Sequence, residues 1–195
     1  MNSVILDLEI NNIKSVKSAL NELSSVKIIT HKNQFTNADV IILPGNGSFK
    51  KGMEEIKKRG FDEIIKDYFD NKKKIISICL GLQLMMSESE ESKNISGLNL
   101  IEGNVLKINE SSLKLPLLGW YDVYFKNNFY ENKSYFFNNN YMVNPKNKSL
   151  VYGHFKKIPS FLKIDNFYGF QFHPEKSGRS GIELLKKTMY EPTSE

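Results

Sequence analysis

With 195 residues, 40% of them hydrophobic, the chain can bury one substantial core, and a single domain over residues 1–195 is expected. No apolar run approaches the roughly 20 residues of a membrane span, and the opening MNSVILDLEINN has an acidic residue in its apolar run and no basic leader or cleavage site. A cytoplasmic protein with no membrane partner is therefore expected. The net charge of +5 is lysine apart from Arg59 and Arg179, and those lysines alternate with Glu and Asp in stretches such as MEEIKKRGFDEIIKDYFDNKKK, so solvated helix faces explain them and no nucleic-acid partner is expected.

In chain order, SVILDL reads as a short buried strand, and Ile13, Val16, Leu20 and Leu23 then recur at helical spacing. VKIIT is a second strand, and ADVIILPGNGSF is a third apolar run ending in a glycine-rich loop. Two helical segments cross from about Lys50 to Asn71, and KIISI supplies another buried strand before Cys79. Strand and helix in alternation predict a parallel sheet covered on both faces. After Gly97 come aromatic-rich runs, LIEGNVLKI, GWYDVYF, SYFFNNNYMV and SLVYGHF, which suit antiparallel strands and hairpins. NFYGFQF returns as a strand, and GRSGIELLKKTMY closes with a helix.

The single cysteine excludes an internal disulfide and a thiolate cluster for a metal. It sits in SICLG, where Ser77, Cys79 and Gly81 fill a small-x-nucleophile-x-Gly turn between a buried strand and a helical pattern. Such a bend would expose the sulfur at the carboxyl edge of the strand and set it at a helix N-terminus. A buried cysteine acting as a small hydrophobe is the equally weighted alternative.

Of the three histidines, His173 precedes Pro174, which favours extended backbone at His173. In extended chain Glu175 would lie on the same side and could orient the imidazole. His31 and His154 have no acidic neighbour at useful spacing and read as structural or surface residues. LPGNGSF, residues 43 to 49, again ends a strand. The N–H groups of its Gly45–Asn46 stretch, with that of Leu80, could receive an oxyanion. No GxGxxG or GxxxxGK[ST] occurs to support a nucleotide-binding module.

Together SICLGLQL, FHPEKSG and LPGNGSF resemble the class I glutamine amidotransferases. The likeness is greater still to the glutaminase-subunit family of imidazole glycerol phosphate synthase, through SEE at 89 to 91, GLNLIEGNVLKI, LPLLGWYDV and GFQFHPEKSGRSGIELL, and it covers essentially the whole chain. The resemblance implies an α/β fold of three layers, with a central, mostly parallel sheet flanked by helices and an antiparallel portion in the second half. It further implies hydrolysis of L-glutamine to glutamate and ammonia by Cys79, His173 and Glu175, with no cofactor and no metal. The ammonia would go to a synthase or cyclase subunit in a heterodimer. Gln83 and Glu91 fall where the family holds the α-amino and carboxylate ends of glutamine, although ESEES would equally serve as a solvated acidic helix end. Asn139, Asn140 and Tyr141 occupy a substrate-binding stretch, and Asn11, Asn12, Trp120 and Lys176 fall at partner-interface positions.

The chain also departs from that family. Ser77 replaces a glycine of the nucleophile turn, and LEINN, residues 8 to 12, replaces a tyrosine, glycine, any residue, glycine, asparagine stretch. Leu117 stands for a histidine, and Asn139-Asn140 for His-Ser or His-Thr. The departures keep two alternatives open: a paralogous glutaminase feeding a sugar amidotransferase in surface-glycan synthesis, and a catalytically silent regulatory subunit.

Overall fold

The computed structural model describes residues 1–10 and 13–192. The first half runs β1 (Asn2–Leu6), α1 (Lys14–Asn21), β2 (Ser25–Ile29), β3 (Val40–Gly45), α2 (Phe49–Arg59), α3 (Phe61–Asp70), β4 (Lys74–Cys79) and α4 (Leu80–Gln83). It continues through β5 (Met86–Ser89), β6 (Ile101–Lys107), β7 (Leu117–Phe125), β8 (Lys133–Asn139), β9 (Tyr141–Pro145), β10 (Val151–Phe155), β11 (Ile158–Ile164), β12 (Phe167–Phe170) and α5 (Gly178–Tyr190).

Nine strands form one sheet in the order β2-β1-β3-β4-β12-β11-β10-β7-β8. The pairs from β2 to β12 are parallel and those from β12 to β8 antiparallel, so the expected division of the chain holds. Strands β3 and β4 are buried at every residue, as parallel strands covered on both faces must be. Alternation along them sorts the side chains into two cores. Val4, Leu6, Ile41, Leu43 and Ile75 meet Met53, Ile56 and Ile65 of α2 and α3. Ile5, Val40, Ile42 and Ile76 meet Val16 and Leu20 of α1 and Leu184 and Met189 of α5. Each such burial contributes about 2 kcal/mol. At the foot of β4 the buried Lys74 donates to the carbonyls of Met189 and Glu191 at 2.8 and 2.6 Å, tying down the C-terminal end of α5; burial lowers its pKa.

The antiparallel half curls back on itself. Strand β10 carries register shifts on either side of Gly153, and such irregularities bend a strand. The curl brings Phe136 of edge strand β8 beside His173, just beyond β12, where the His173 N–H donates to the Phe136 carbonyl at 2.8 Å. Aromatic rings fill the inside: Tyr135 stacks on Phe172 at 4.4 Å between centroids, and Phe161 lies 5.0 Å from Phe170.

A second sheet, β5-β6-β9, stands beside the first. The run SYFFNNNYMV, read as one hairpin-forming segment, is therefore split between sheets: β8 ends at Asn139 and β9 starts at Tyr141, with the exposed Asn140 as the crossing point. The helix expected after Cys79 is a single turn, α4. The chain turns away after it because Met85 must accept the backbone N–H groups of Leu100 and Ile101, both at 3.0 Å, to start the second sheet. Among the described residues no helix is long and apolar enough to cross a membrane.

Candidate active site

Cys79 closes β4 with φ 53° and ψ −110°, a conformation that costs a residue with a Cβ about 1–3 kcal/mol. Close packing against β3 holds it there. Gly45 lies in register with Cys79, and a Cβ on Gly45 would stand 2.4 Å from the Gly81 nitrogen, while one on Gly81 would stand 2.0 Å from the Leu43 carbonyl oxygen. The small residues at these positions let the turn rest directly on the neighbouring strand. Ser77, the departure from the family glycine, fits fully buried, but its Oγ has no hydrogen-bond partner among the described residues.

The thiol is less open than the sequence suggests. Cys79 is 5% exposed and forms the floor of a pocket of about 160 Å³, whose lining includes Asn46, Gly47, Leu80, Gln83, Glu91 and the Asn138–Tyr141 segment. A one-turn helix follows it, so the stabilising helix terminus expected there is reduced to the first N–H groups of α4. A larger depression of about 630 Å³, lined by Trp120, Tyr124, His154 and Lys156 on the outside of β7 and β10, includes none of these groups.

His173 has φ −103° and ψ 92°, the extended backbone predicted from Pro174. Glu175 does reach it, with Oε1 2.8 Å from Nδ1, but not by strand alternation: Pro174–Lys176 is a 3-10 turn that folds the carboxylate back onto the ring. Ser177 holds the turn in place, its hydroxyl donating to the His173 carbonyl at 2.6 Å and accepting the Phe136 N–H at 2.9 Å. Imidazole and carboxylate side chains are 3% and 4% exposed, so this pair is shielded from water.

The His173 pKa is raised to about 10. Burial is the largest single influence and lowers it, but the charge and hydrogen bonding of Cys79, followed by those of Glu175, raise it further. Among the described residues Nε2 itself has no partner at hydrogen-bonding geometry. Cys79 thus acts on the ring through its charge, while Glu175 makes the closed bond at Nδ1 and fixes that nitrogen as the donor.

Around the pocket, Gln83 Nε2 donates to the Tyr141 carbonyl at 3.0 Å and, at 3.4 Å, to Gln171 Oε1. Asn139 Nδ2 donates to the same Tyr141 carbonyl at 2.9 Å. Glu91 Oε2 accepts the Phe49 N–H at 2.6 Å, so it is not merely a solvated acidic end. Asn140 is exposed at the lip, its carbonyl accepting the Ile108 N–H at 2.9 Å.

Trp120 and Lys176 lie outside the pocket. Trp120 is 55% exposed on β7 and meets Phe136 edge to face at 6.2 Å, one residue pair away from His173, and Lys176 is exposed on the turn that carries Glu175. Asn11 and Asn12 lie outside the described residues. In the altered LEINN stretch, Leu8 is buried and Glu9 pairs with Arg59 at 2.7 Å.

His31 accepts the Asn33 N–H to cap the Lys32–Gln34 turn, and His154 is exposed beside Tyr124. Among the described residues no group of three His, Cys, Asp or Glu side chains could hold a metal ion.

Three neighbours escaped the sequence reading. Pro116 and Asn138 line the pocket from the antiparallel half, which only the curl brings near. Gln171 had a signal, being an uncharged polar residue inside the aromatic run FYGFQF, two residues before His173.

The family described as glutamine amidotransferase class-I matches residues 4–191. The chain is 37% identical over 188 residues to the imidazole glycerol phosphate synthase subunit HisH of Staphylococcus aureus, covering 95% of each chain. It is 34% identical over 192 residues to the HisH of Listeria innocua, covering 94% of this chain and 92% of that one. A crystal structure described as a glutamine amidotransferase shares the fold, with a TM-score of 0.79 over 96% of this chain and 97% of that one at 14% identity. The pocket built on Cys79 thus lies in a chain that belongs to the class I glutamine amidotransferase family and is an enzyme of that class.

Proposed function

We propose that this chain, one domain over residues 1–195, is the glutaminase subunit of an imidazole glycerol phosphate synthase, hydrolysing L-glutamine and passing ammonia to a cyclase subunit. The thiolate of Cys79 attacks the side-chain carboxamide; the carbon–sulfur bond forms and the carbonyl electron pair moves onto oxygen. N–H groups of Leu80 and of the Gly45–Asn46 stretch receive that charge, each such donor contributing about 3 kcal/mol. Imidazolium His173 protonates the leaving nitrogen as the carbon–nitrogen bond breaks, leaving a thioester. Neutral His173 then takes a proton from water as the water oxygen attacks the thioester, and cleavage of the carbon–sulfur bond releases glutamate and restores the thiolate and the imidazolium. Glu175 orients the ring throughout.

The observation that carries this reading is the buried His173, its Nδ1 closed on Glu175 and its Nε2 left without a partner beside a cysteine held at φ 53°. The relatives described as HisH support the choice of synthase. Free ammonia would be lost as ammonium in water, so turnover should wait for the partner. The Gly45–Gly47 loop is the candidate gate, since glycine makes a peptide flip inexpensive.

Glutamate release by the chain with and without a cyclase subunit tests the reading. Turnover that rises with the partner and vanishes in Cys79→Ala is expected, and equal rates would remove the gate. Growth of a histidine auxotroph carrying this chain supports the synthase; failure to grow by a chain that hydrolyses glutamine favours the paralogue that feeds a sugar acceptor. An electrophilic glutamine analogue that leaves Cys79 unlabelled even with the partner bound would mark a silent subunit.

A further inference from the structure

The pocket-lining Glu91 is bonded to the backbone of a different element. Its Oε2 accepts the N–H of Phe49, the first residue of α2, at 2.6 Å. The first N–H groups of a helix have no partner within the helix, and a carboxylate there makes a charge-assisted bond with the helix terminus. Glu91 is itself steadied by the bond from its own N–H to Ser89 Oγ, at 3.2 Å.

Phe49 is fully buried, and the helix start is held by the Glu91 bond together with the Ser48 cap, whose Oγ accepts the Lys51 N–H at 3.4 Å. At the other end of the same loop, Gly45 is in register with Cys79 and so closely packed on its turn that an added Cβ would stand 2.4 Å from the Gly81 nitrogen. Only Asn46, Gly47 and Ser48 lie between these two anchors. Gly47, at φ 123°, would have no atom of the described residues within 4 Å of an added Cβ, so the middle of the span has room to turn. Where that short stretch presents its N–H groups therefore depends on how firmly each end is fixed.

Beyond the contact with glutamine that the family resemblance implies for it, we propose that Glu91 is a positioning residue for the oxyanion loop. One carboxylate then sets both substrate affinity and the register of the loop that receives the developing negative charge. This rests on the glutaminase reading above.

Two substitutions separate the functions. Glu91→Gln loses the negative charge but keeps an oxygen for the Phe49 N–H, whereas Glu91→Ala loses both. With the full chain in complex with a cyclase subunit, Glu91→Gln should raise the KM for glutamine about tenfold and lower kcat by no more than about threefold. Glu91→Ala should raise KM as much and lower kcat by a further ~10- to 100-fold, the scale of a misplaced oxyanion donor. The extra loss in kcat should persist with glutaramic acid, which is glutamine without its α-amine, because the loop and not the amine is at fault.

Equal kcat in the two variants, with wild type active, overturns this inference alone; a wild-type complex that releases no glutamate overturns the proposed function and this inference with it. Hydrogen exchange on the same proteins gives a reading that does not depend on turnover. The Phe49 amide should exchange faster in Glu91→Ala than in Glu91→Gln while the β3 and β4 amides keep their protection, and equal exchange at Phe49 overturns the inference.

Discussion

The parallel strands β3 and β4 and the curled antiparallel strands β7, β8 and β10 to β12 each support part of the candidate site, by different physical means. In the parallel half the strands contribute aliphatic side chains sorted by alternation: Ile41 and Leu43 face one helical layer, Val40 and Ile42 the other. That regular packing leaves Cys79 at a strand end, where a strained turn presses on β3. In the antiparallel half the filling is aromatic. Tyr135 and Phe137 of β8 reach Phe172 only because the sheet bends through β10, and His173 is carried along as the next residue. A regular sheet thus places Cys79, the proposed nucleophile, by local strain, and a curved one places His173, the proposed base, by distant packing.

The comparison can be broken most directly at the nucleophile. Cys79→Ala should lower glutamine turnover about 10⁴-fold, equivalent to about 5 kcal/mol, while leaving ammonia-dependent synthesis by the complex intact. Assays of glutamate release and of ammonia-driven product formation check it. Loss of both activities would mean that the turn holds the fold together as well as the thiol.

Core truncations sharpen the contrast. Phe172→Ala and Ile5→Ala should each cost about 3–4 kcal/mol in urea unfolding. Only Phe172→Ala should also depress kcat in the folded fraction, because it releases the ring stacked on Tyr135 next to His173. Equal kcat losses would refute the claim that the curl positions the base.

Glu175→Gln should lower kcat about 10²-fold, or about 2.7 kcal/mol. Glu175 is one of the influences that raise the His173 pKa, so its removal lowers that pKa and moves the basic limb of the pH–rate profile to lower pH. The folded value of about 10 lies above the ordinary 6.5. The stability this provides is therefore full below about pH 6.5 and is lost as pH rises through about 10. Thermal unfolding across that window should show the deficit of Glu175→Gln shrinking towards alkaline pH.

The smallest effects concern buried hydroxyls, one in each half. Ser77 Oγ and Tyr135 Oη are buried without partners among the described residues, and burial pushes the Tyr135 phenol far above its usual range. Ser77→Ala and Tyr135→Phe should each raise stability by up to about 1 kcal/mol, measured as an upward shift in Tm.

The parallel strands, the bend at Cys79 and the extended backbone at His173 were legible in the sequence because each depends on near neighbours: an apolar run, a small residue two places away, a following proline. The turn that brings Glu175 onto His173 was misjudged as extended chain, since alternation was applied where Pro174 opens a 3-10 turn. The one-turn length of α4 and the split at Asn140 were not readable either. Both follow from where the second sheet needs its next strand.

By itself the sequence determined the family and most of the strands and singled out the candidate reactive groups, because apolar periodicity and short motifs act over a few residues. The tertiary structure alone decided that Phe136 would pair with His173, that Glu91 would hold the start of α2, and that Pro116, Asn138 and Gln171 would join the site. Those contacts join residues far apart in the chain, and which ones form depends on sheet curvature and close packing, for which no local pattern in the sequence codes.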